Sequence, residues 1–276
     1  MDKSTIISVL LSKIEKILEE SGKSRLVKIP DTSLSYNVVA CAKLGDDEKK
    51  ILIKAVYDVS TVSREELIDM AILSKITCAI PIIVGVKESG EKLKSDTVYR
   101  KLGISAVSIA AFRKVVKGEP IRLVKDRGIV KAKIRGEELR KRREQFGMSL
   151  GDVAEILHVS RKTVYEYERG TFEASERTAR ILMQIFGEDI IEKVDIEPKF
   201  EVCRKYMENR KIDIDDISRK YSIVPEEAYK LEKTHGKLVM SCSESEKYMV
   251  VSKKTFSNEV KEVTEILEVK PIINGE

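Results

Sequence analysis

Tryptophan is absent from the 276 residues, histidine occurs twice, and glutamine occurs twice beside four asparagines. Phe, Tyr and Trp together make up 5% of the chain. So few aromatic faces argue against a protein that stacks carbohydrate or cages a quaternary ammonium. The four cysteines, Cys41, Cys78, Cys203 and Cys242, are scattered and form no Cys-x-x-Cys pair. A structural zinc site needs clustered soft ligands and a disulfide framework needs paired spacings, so neither is expected. The longest nearly apolar run, Ile76 to Val86, falls far short of the roughly 20 residues a membrane-spanning helix needs. Asp2, Lys3 and Lys13 interrupt the N-terminal apolar residues, so no secretory signal is read there. These absences point to a cytoplasmic protein with no metal or organic cofactor.

What the chain has is charge. Asp, Glu, Lys and Arg make up 35%, and the hydrophobic content of 42% is enough to build cores rather than a disordered chain. Few Gln and Asn beside 51 Lys+Arg and 46 Asp+Glu resemble a thermophile composition. The net charge of +5 is unevenly placed: +4 over residues 1–121, +5 over 122–187 and −4 over 188–276. Arg122 to Arg143 alone holds ten basic residues against Asp126, Glu137 and Glu138, or +7 in 22 residues. Such a stripe is an electrostatic footprint for phosphate, with a solvated linker and helix face as the plainer alternative.

The residues beside the stripe favour phosphate. Arg135 to Phe146 reads as a helix stopped by Gly147. Ser149 stands as an N-cap before Leu150, Val153, Ile156 and Leu157 at helical spacing. After a break at His158-Val159, Ser160 caps a second short helix from Arg161 to about Glu168, ended by Gly170. Ala154 is small where the helices must approach, and Val159 and Val164 are apolar where they must close a core. Two short helices joined by a three-to-four-residue turn have the shape of a helix-turn-helix.

The run from Leu139 to Gly147, then Ser149, Val153-Ala154, Leu157, Val159-Ser160, Val164 and Glu168-Arg169-Gly170, resembles the phage-repressor (Cro-like) helix-turn-helix family. The resemblance covers residues 135–190. It implies a pairing of Arg143 with Glu168, and a recognition helix, 161–168, lying in the major groove with its first residues at base edges. Arg161 and Lys162 are then the base-reading residues, with guanine O6/N7 the natural target of Arg161. Glu166 is placed to accept from a cytosine amino group. Thr163, Tyr165 and Arg169 are better placed for phosphate, and the two capping serines, Ser149 and Ser160, complete the DNA-binding set. The sequence departs from the family in three ways: His158 stands for the usual turn glycine, Leu150 for a phosphate-contacting glutamine, and Glu173 follows Gly170 where a basic loop is usual. The basic arm from Arg122 is expected to compensate, so that charge reversal at Lys131, Lys133 and Arg135 would flatten the salt dependence of binding.

In the N-terminal flank, Ile6, Ile7, Leu10, Leu11, Ile14, Ile17 and Leu18 form one helical stripe. Strand-like runs follow at Arg25–Ile29, Leu34–Lys43 and Ile51–Val59. Then come a helix over 63–74, a buried-type strand Ala79–Val86, a short helix, a strand Ile104–Ser108 and a helix to Lys117. This order resembles the restriction-endonuclease-like fold, whose site is a Pro-Asp followed by Asp/Glu-x-Lys around Mg²⁺. Pro30-Asp31 and Glu48-Lys49-Lys50 match it literally. A hairpin of 34–43 with 51–59 puts Asp31 at its open end and Glu48 at its turn, about 33 Å apart for ten residues of strand. A surface acidic-basic tip is therefore the better reading of Glu48, and the region opposite Asp31 is expected near Tyr57 and Asp58.

The C-terminal flank echoes this pattern: Tyr248–Ser252, a helix Asn258–Leu267 and Lys270-Pro-Ile-Ile-Asn-Gly275 parallel Val56–Ser60, the helix, and Ile80-Pro-Ile-Ile-Val-Gly85. Two truncated copies of one sheet unit, or coincidence, both account for it. The whole layout resembles archaeal transcriptional regulators that join an endonuclease-like domain to a Cro-like helix-turn-helix and a further domain. The expected fold is α+β and multidomain: a mixed-sheet endonuclease-like domain over 1–121, catalytically inactive; a basic linker 122–134; an all-α helix-turn-helix domain 135–190; and a C-terminal α/β domain 195–276 serving dimerisation or regulation. The expected function is a sequence-specific regulator bound to double-stranded DNA as a homodimer, without enzyme activity, membrane association or an identifiable effector. A Mg²⁺-dependent nuclease targeted by the helix-turn-helix is the alternative.

Overall fold

The computed structural model describes residues 2–22, 25–29, 31–242 and 245–274. Pro30 and Gly275, which figure in the motifs above, lie outside the described residues. Along the chain the elements are α1 (Lys3–Glu20), β1 (Arg25–Lys28), β2 (Val38–Leu44), β3 (Asp47–Asp58), α2 (Arg64–Thr77), β4 (Ile80–Glu88), β5 (Glu91–Lys92), β6 (Thr97–Lys101), β7 (Ile104–Ser108), α3 (Ile109–Val116), β8 (Leu123–Asp126) and β9 (Ile129–Lys133). They continue with α4 (Gly136–Gln145), α5 (Leu150–Leu157), α6 (Arg161–Glu168), β10 (Glu173–Ser175), α7 (Glu176–Phe186), α8 (Phe200–Glu208), α9 (Ile214–Tyr221), β11 (Pro225–Lys230), β12 (Gly236–Cys242), β13 (Lys247–Ser252), α10 (Asn258–Leu267) and β14 (Lys270–Asn274). They fall into two compact units, one of residues 1–95, 101–119 and 196–276, the other of 96–100 and 120–195.

In the larger unit β1, β2 and β3 form an antiparallel meander, α2 crosses over, and β4 and then β7 add in parallel. The pairing of Lys43 with Glu48 and of Val38 with Ile53 puts Glu48 at the hairpin tip. The strand starts four residues later than the apolar pattern suggests. Residues 34–36 leave the ladder, Ser35 N–H donating to the Lys233 carbonyl, while Asn37 still donates its N–H to the Ile53 carbonyl at 2.7 Å. The Lys54 ammonium takes the carbonyls of Thr32 (2.8 Å) and Leu34, while Asn37 Oδ1 accepts from Ala55 N–H at 2.9 Å. α1 and α3 pack together against β2 and β3 or its neighbours. α2 opens with a reciprocal capping box between Ser63 and Glu66. Ten of its fourteen residues are buried because β4 lies against it as well as α8 and β12, so it lacks a one-sided apolar stripe.

The C-terminal segment of the same unit repeats this topology. β11, β12 and β13 form an antiparallel meander, α10 crosses over, and β14 adds in parallel at the edge. Pro271 pairs with Met249 and Pro81 with Leu52, so by register Tyr248–Ser252 corresponds to residues 51–55, five residues before the Val56–Ser60 stretch it echoes in sequence. The meander–helix–strand topology is repeated, while the likeness of the two strand sequences is out of register. Several side chains tie the two segments together, among them Lys75 with Glu227, Lys50 with Glu268, and Asp69, which is fully buried in α2. Its carboxylate accepts from the backbone N–H of Glu232 (3.0 Å) and Lys233 (2.5 Å) and from the Ser35 hydroxyl (3.3 Å), and pairs with Arg210 at 3.5 Å. Burial pushes this carboxyl above its ordinary range, against the pull of those donors and of Arg210.

In the smaller unit, residues 122–134, expected as a linker, are a β-hairpin of β8 and β9 that turns through Arg127 and Gly128, both at positive φ. β6 pairs in parallel with β8, and β10 pairs with β9. The helix-turn-helix region is helical as expected but shares its core with these strands. Leu123, Ala132 and Ala174 pack with Leu139, Val164 and Leu182.

Candidate nucleic-acid interface

The two helices of the turn are set by their caps. Ser149 accepts from Asp152 N–H at 3.2 Å, and Asp152 returns the bond to Ser149 N–H at 2.7 Å. Hydrogen bonds from the Ser149 N–H and hydroxyl hold the Asp152 carboxyl below its ordinary range, with Arg161 adding to them. α5 ends at His158 in the left-handed region (φ 54°, ψ 47°). Bonds from His158 N–H to Glu155 O (3.1 Å) and from Val159 N–H to Ala154 O (3.0 Å) close the helix end. Histidine thus performs the turn that glycine usually makes in the family. Ser160 then caps α6 by accepting from Thr163 N–H at 3.0 Å, and its hydroxyl lies 2.9 Å from that of Thr163.

α6 is fixed from behind. Val164 and Tyr167 are buried in the shared core. Arg143 from α4 reaches Glu168 through two nitrogens, Nε to Oε1 at 2.5 Å and Nη2 to Oε2 at 3.1 Å, and donates a third bond to the Met148 carbonyl at 2.8 Å. This largely buried fork ties α4, the α4–α5 turn and the end of α6 together, as the family resemblance implied. Gly136, the first residue of α4, approaches α6 so closely that a Cβ there would stand 2.1 Å from the Glu168 carbonyl oxygen. Backbone on backbone cannot move aside cheaply, so Gly136→Ala is expected to destabilise the protein by about 1–3 kcal/mol. Urea unfolding reads this directly, and an unchanged midpoint would contradict it.

The sites named from sequence divide into free and committed groups. Arg161, Lys162, Tyr165 and Arg169 are exposed. Among the described residues neither Arg161 nor Lys162 is engaged in an ion pair, and Gly151 leaves the space that the Arg161 guanidinium occupies, its Nε 3.0 Å from where a Cβ would be. Arg169 lies over the Tyr165 ring at 5.8 Å. Glu166 is committed, since its carboxylate accepts from the Thr171 hydroxyl at 2.5 Å.

The basic stripe is largely neutralised by acids distant in sequence. Lys131 pairs with Glu173 at 2.5 Å, Lys133 with Glu192 at 3.0 Å, Arg122 with Asp189 at 3.3 Å, and Arg142 with Asp189 at 3.4 Å. Arg135 donates to the Asp189 carbonyl at 3.3 Å. A cation already matched by an anion releases fewer counterions when phosphate arrives, so Lys131 and Lys133 are less suited to the role expected of them, whereas Arg135, bonded to a neutral carbonyl, keeps its charge unmatched. Glu173, expected to repel phosphate, is itself neutralised by Lys131. Of the stripe, Arg127, Arg135 and Lys141 carry no acidic partner among the described residues, and Lys141 is exposed on α4.

Around the Asp31 motif no carboxylate pair forms. Hydrogen bonds from the Ser33 hydroxyl and N–H hold the Asp31 carboxyl below its ordinary range, with smaller help from His235 and Lys54. The lysine facing Asp31 is thus Lys54, and an acid two residues before it would stand where Leu52 is, fully buried. Glu66 reaches Lys54 at 2.6 Å from α2, but its other oxygen accepts from Ser63 N–H. Lys54 and Glu66 escaped the sequence reading; a lone charge in Ile51-Leu-Ile-Lys-Ala-Val56 is the signal that would have found them. Among the described residues no three His, Cys, Asp or Glu side chains are grouped to hold a metal ion, and no helix is long and apolar enough to cross a membrane.

Residues 8–121 match the family model described as a PD-(D/E)XK superfamily domain, and residues 139–193 match that of a helix-turn-helix. A protein of Methanothermobacter thermautotrophicus is 36% identical over 199 residues, 71% of this chain and 61% of its own length. One of Pyrobaculum aerophilum is 32% identical over 207 residues, 75% of this chain and 81% of its own. One of Thermococcus gammatolerans is 31% identical over 188 residues, 68% and 58% respectively. The chain thus spans less than two thirds of the first and third of these relatives. No solved structure matches. All three relatives carry the name "Putative HTH-type transcriptional regulatory protein". With a nuclease-like fold in one unit, a capped helix-turn-helix in the other and this extent of shared sequence, the chain belongs to that family of archaeal HTH-type regulatory proteins.

Proposed function

We propose that this chain is a sequence-specific regulator of transcription that binds double-stranded DNA as a homodimer, with α6 in the major groove. The observation that carries this reading is the pair Arg161 and Lys162: exposed, free of ion pairs, and at the leading end of a helix fixed by caps, core and the Arg143–Glu168 fork. The N-terminal residues of such a helix meet base edges, and arginine matches guanine O6/N7 with two donors. Ser149, Ser160, Thr163, Tyr165 and Arg169 lie around them as phosphate contacts, joined by Lys141. One helix reads few base pairs, so a two-fold site is expected, with half-sites about one helical turn apart. Such a protein works beside the chromosome, in the cytoplasm.

In vitro selection from randomised duplex DNA tests this. The expected result is a short motif repeated in inverted orientation at about 10 base pairs. Selection that enriches no motif would overturn the reading. A Mg²⁺-dependent nuclease has less support, because Asp31 and Glu48 stand at opposite ends of the hairpin and both Glu66 oxygens are committed. Cleavage of the selected duplex, lost on Asp31→Ala, would favour that second reading.

A further inference from the structure

A cleft of about 690 Å³ opens in the larger unit beside the C-terminal end of β3, between the start of α1, the first turn of α2 and the loop bearing Lys233. That volume is typical of small-molecule sites. Its charges sort into committed and uncommitted ones. Lys54 is consumed by two carbonyls and by Glu66, and Glu66 by Lys54 and the cap of α2. The Asp58 carboxylate accepts from the N–H groups of Ser60 (2.9 Å) and Ser89 (3.1 Å). Lys3, Lys233 and Glu65 remain, and among the described residues none of these three side chains has a partner. Between them the wall is apolar at Ile7, Val56 and Val62.

The committed groups make the cleft a preformed site. They hold β3, the 32–34 segment and the start of α2 in place, so the backbone frame is set and what a ligand orders is the exposed side chains of Lys3 and Lys233. Lys233 is positioned too, since its N–H is bound by Asp69 at 2.5 Å and its carbonyl by Ser35 N–H at 2.6 Å. What is left over is a pair of ammonium groups, one carboxylate, the hydroxyls of Thr32 and Tyr57, and an apolar wall. We propose that this cleft binds a free α-amino acid. Its carboxylate meets Lys3 and Lys233, its ammonium meets Glu65, and its side chain lies against Ile7, Val56 and Val62. A ligand carrying charge of one sign only would leave either Glu65 or the two lysines unmatched. The site is separate from α6 and is assayed without DNA, so its failure and that of the DNA-binding reading are distinguishable.

Titration calorimetry and thermal melting of the full chain with each of the twenty amino acids test the proposal. At least one is expected to bind saturably and to raise Tm. Glu65→Gln and the double variant Lys3→Ala/Lys233→Ala, all at positions without side-chain partners, are each expected to weaken it about tenfold or more, the usual scale for a lost charge-assisted bond. The N-acetyl and amide derivatives of the same amino acid are expected to weaken by a similar factor. The proposal is overturned if none of the twenty binds below about 10 mM, or if the blocked derivatives or the variants bind as well as the free amino acid does to the parent protein.

Discussion

Replacing Arg161 and Lys162 together by alanine is expected to reduce affinity for the selected operator about 100-fold or more, with little change in unfolding midpoint. Each well-formed contact to a base edge contributes about 1–3 kcal/mol of discrimination, and one lost phosphate contact lowers the salt slope by about one. Fluorescence anisotropy at several salt concentrations separates the two effects. Arg161→Ala alone should relax preference at one guanine position, whereas Lys141→Ala should weaken all sequences alike and flatten the slope. The fold should tolerate these changes, because both α6 side chains point to solvent and neither is tied to another residue. An affinity within twofold of the parent's would show that α6 is not the reading helix. Charge reversal at Lys131 and Lys133 should act mainly by breaking their bonds to Glu173 and Glu192.

Asp69→Ala is expected to destabilise the larger unit by about 3–5 kcal/mol, the usual cost of stripping one partner from a buried charge network. The loss leaves the N–H groups of Glu232 and Lys233 without their acceptor, while the Ser35 hydroxyl keeps the Lys233 carbonyl and Arg210 keeps Glu232. A buried donor left unsatisfied costs more than the net worth of the bond it made. Asp69→Asn keeps one acceptor oxygen and should cost less. Urea unfolding with limited proteolysis of the C-terminal segment measures both, and a loss under about 1 kcal/mol for the alanine variant would refute the role given to Asp69. Asp58 gives a smaller effect with a defined pH window. Burial acts to raise its carboxyl, but hydrogen bonds from Ser60, Ser89 and Gly90 outweigh that and bring it down to about 2, against an ordinary value of 3.8. Its contribution is therefore complete above about pH 4 and is lost as pH falls toward 2. Asp58→Asn should remove that part of the acid destabilisation while lowering stability at neutral pH.

The elements legible in the sequence were those whose determinants lie within a few residues. The helix-turn-helix announced itself through Ser149, Ser160 and the apolar spacing between them. α1 was readable from one stripe and β7 from one apolar run, and the Pro-Ile-Ile echo from local identity alone. Residues 122–134 were misread because a hairpin so rich in lysine and arginine hides its alternation. Its strands are stabilised by β6 and β10, one of them some forty residues away. The neutralising acids Glu173, Asp189 and Glu192 were also counted, but in the wrong place, since a charge total along the chain does not record which side chains the fold brings together. The same limit concealed Asp69 and Lys54. Each stood as a single charge in an apolar run, which tells that a partner exists but not which one.

The neutralised hairpin bears on how such a protein finds its target in a genome. Affinity for arbitrary DNA comes almost wholly from unmatched cations, and every extra one lengthens the time a molecule spends on irrelevant sequence. On the proposed function, matching Lys131, Lys133 and Arg122 internally would give up sequence-independent grip and leave Arg161 and Lys162 to dominate the encounter. A small cellular pool would then occupy its operator without being soaked up by the rest of the chromosome.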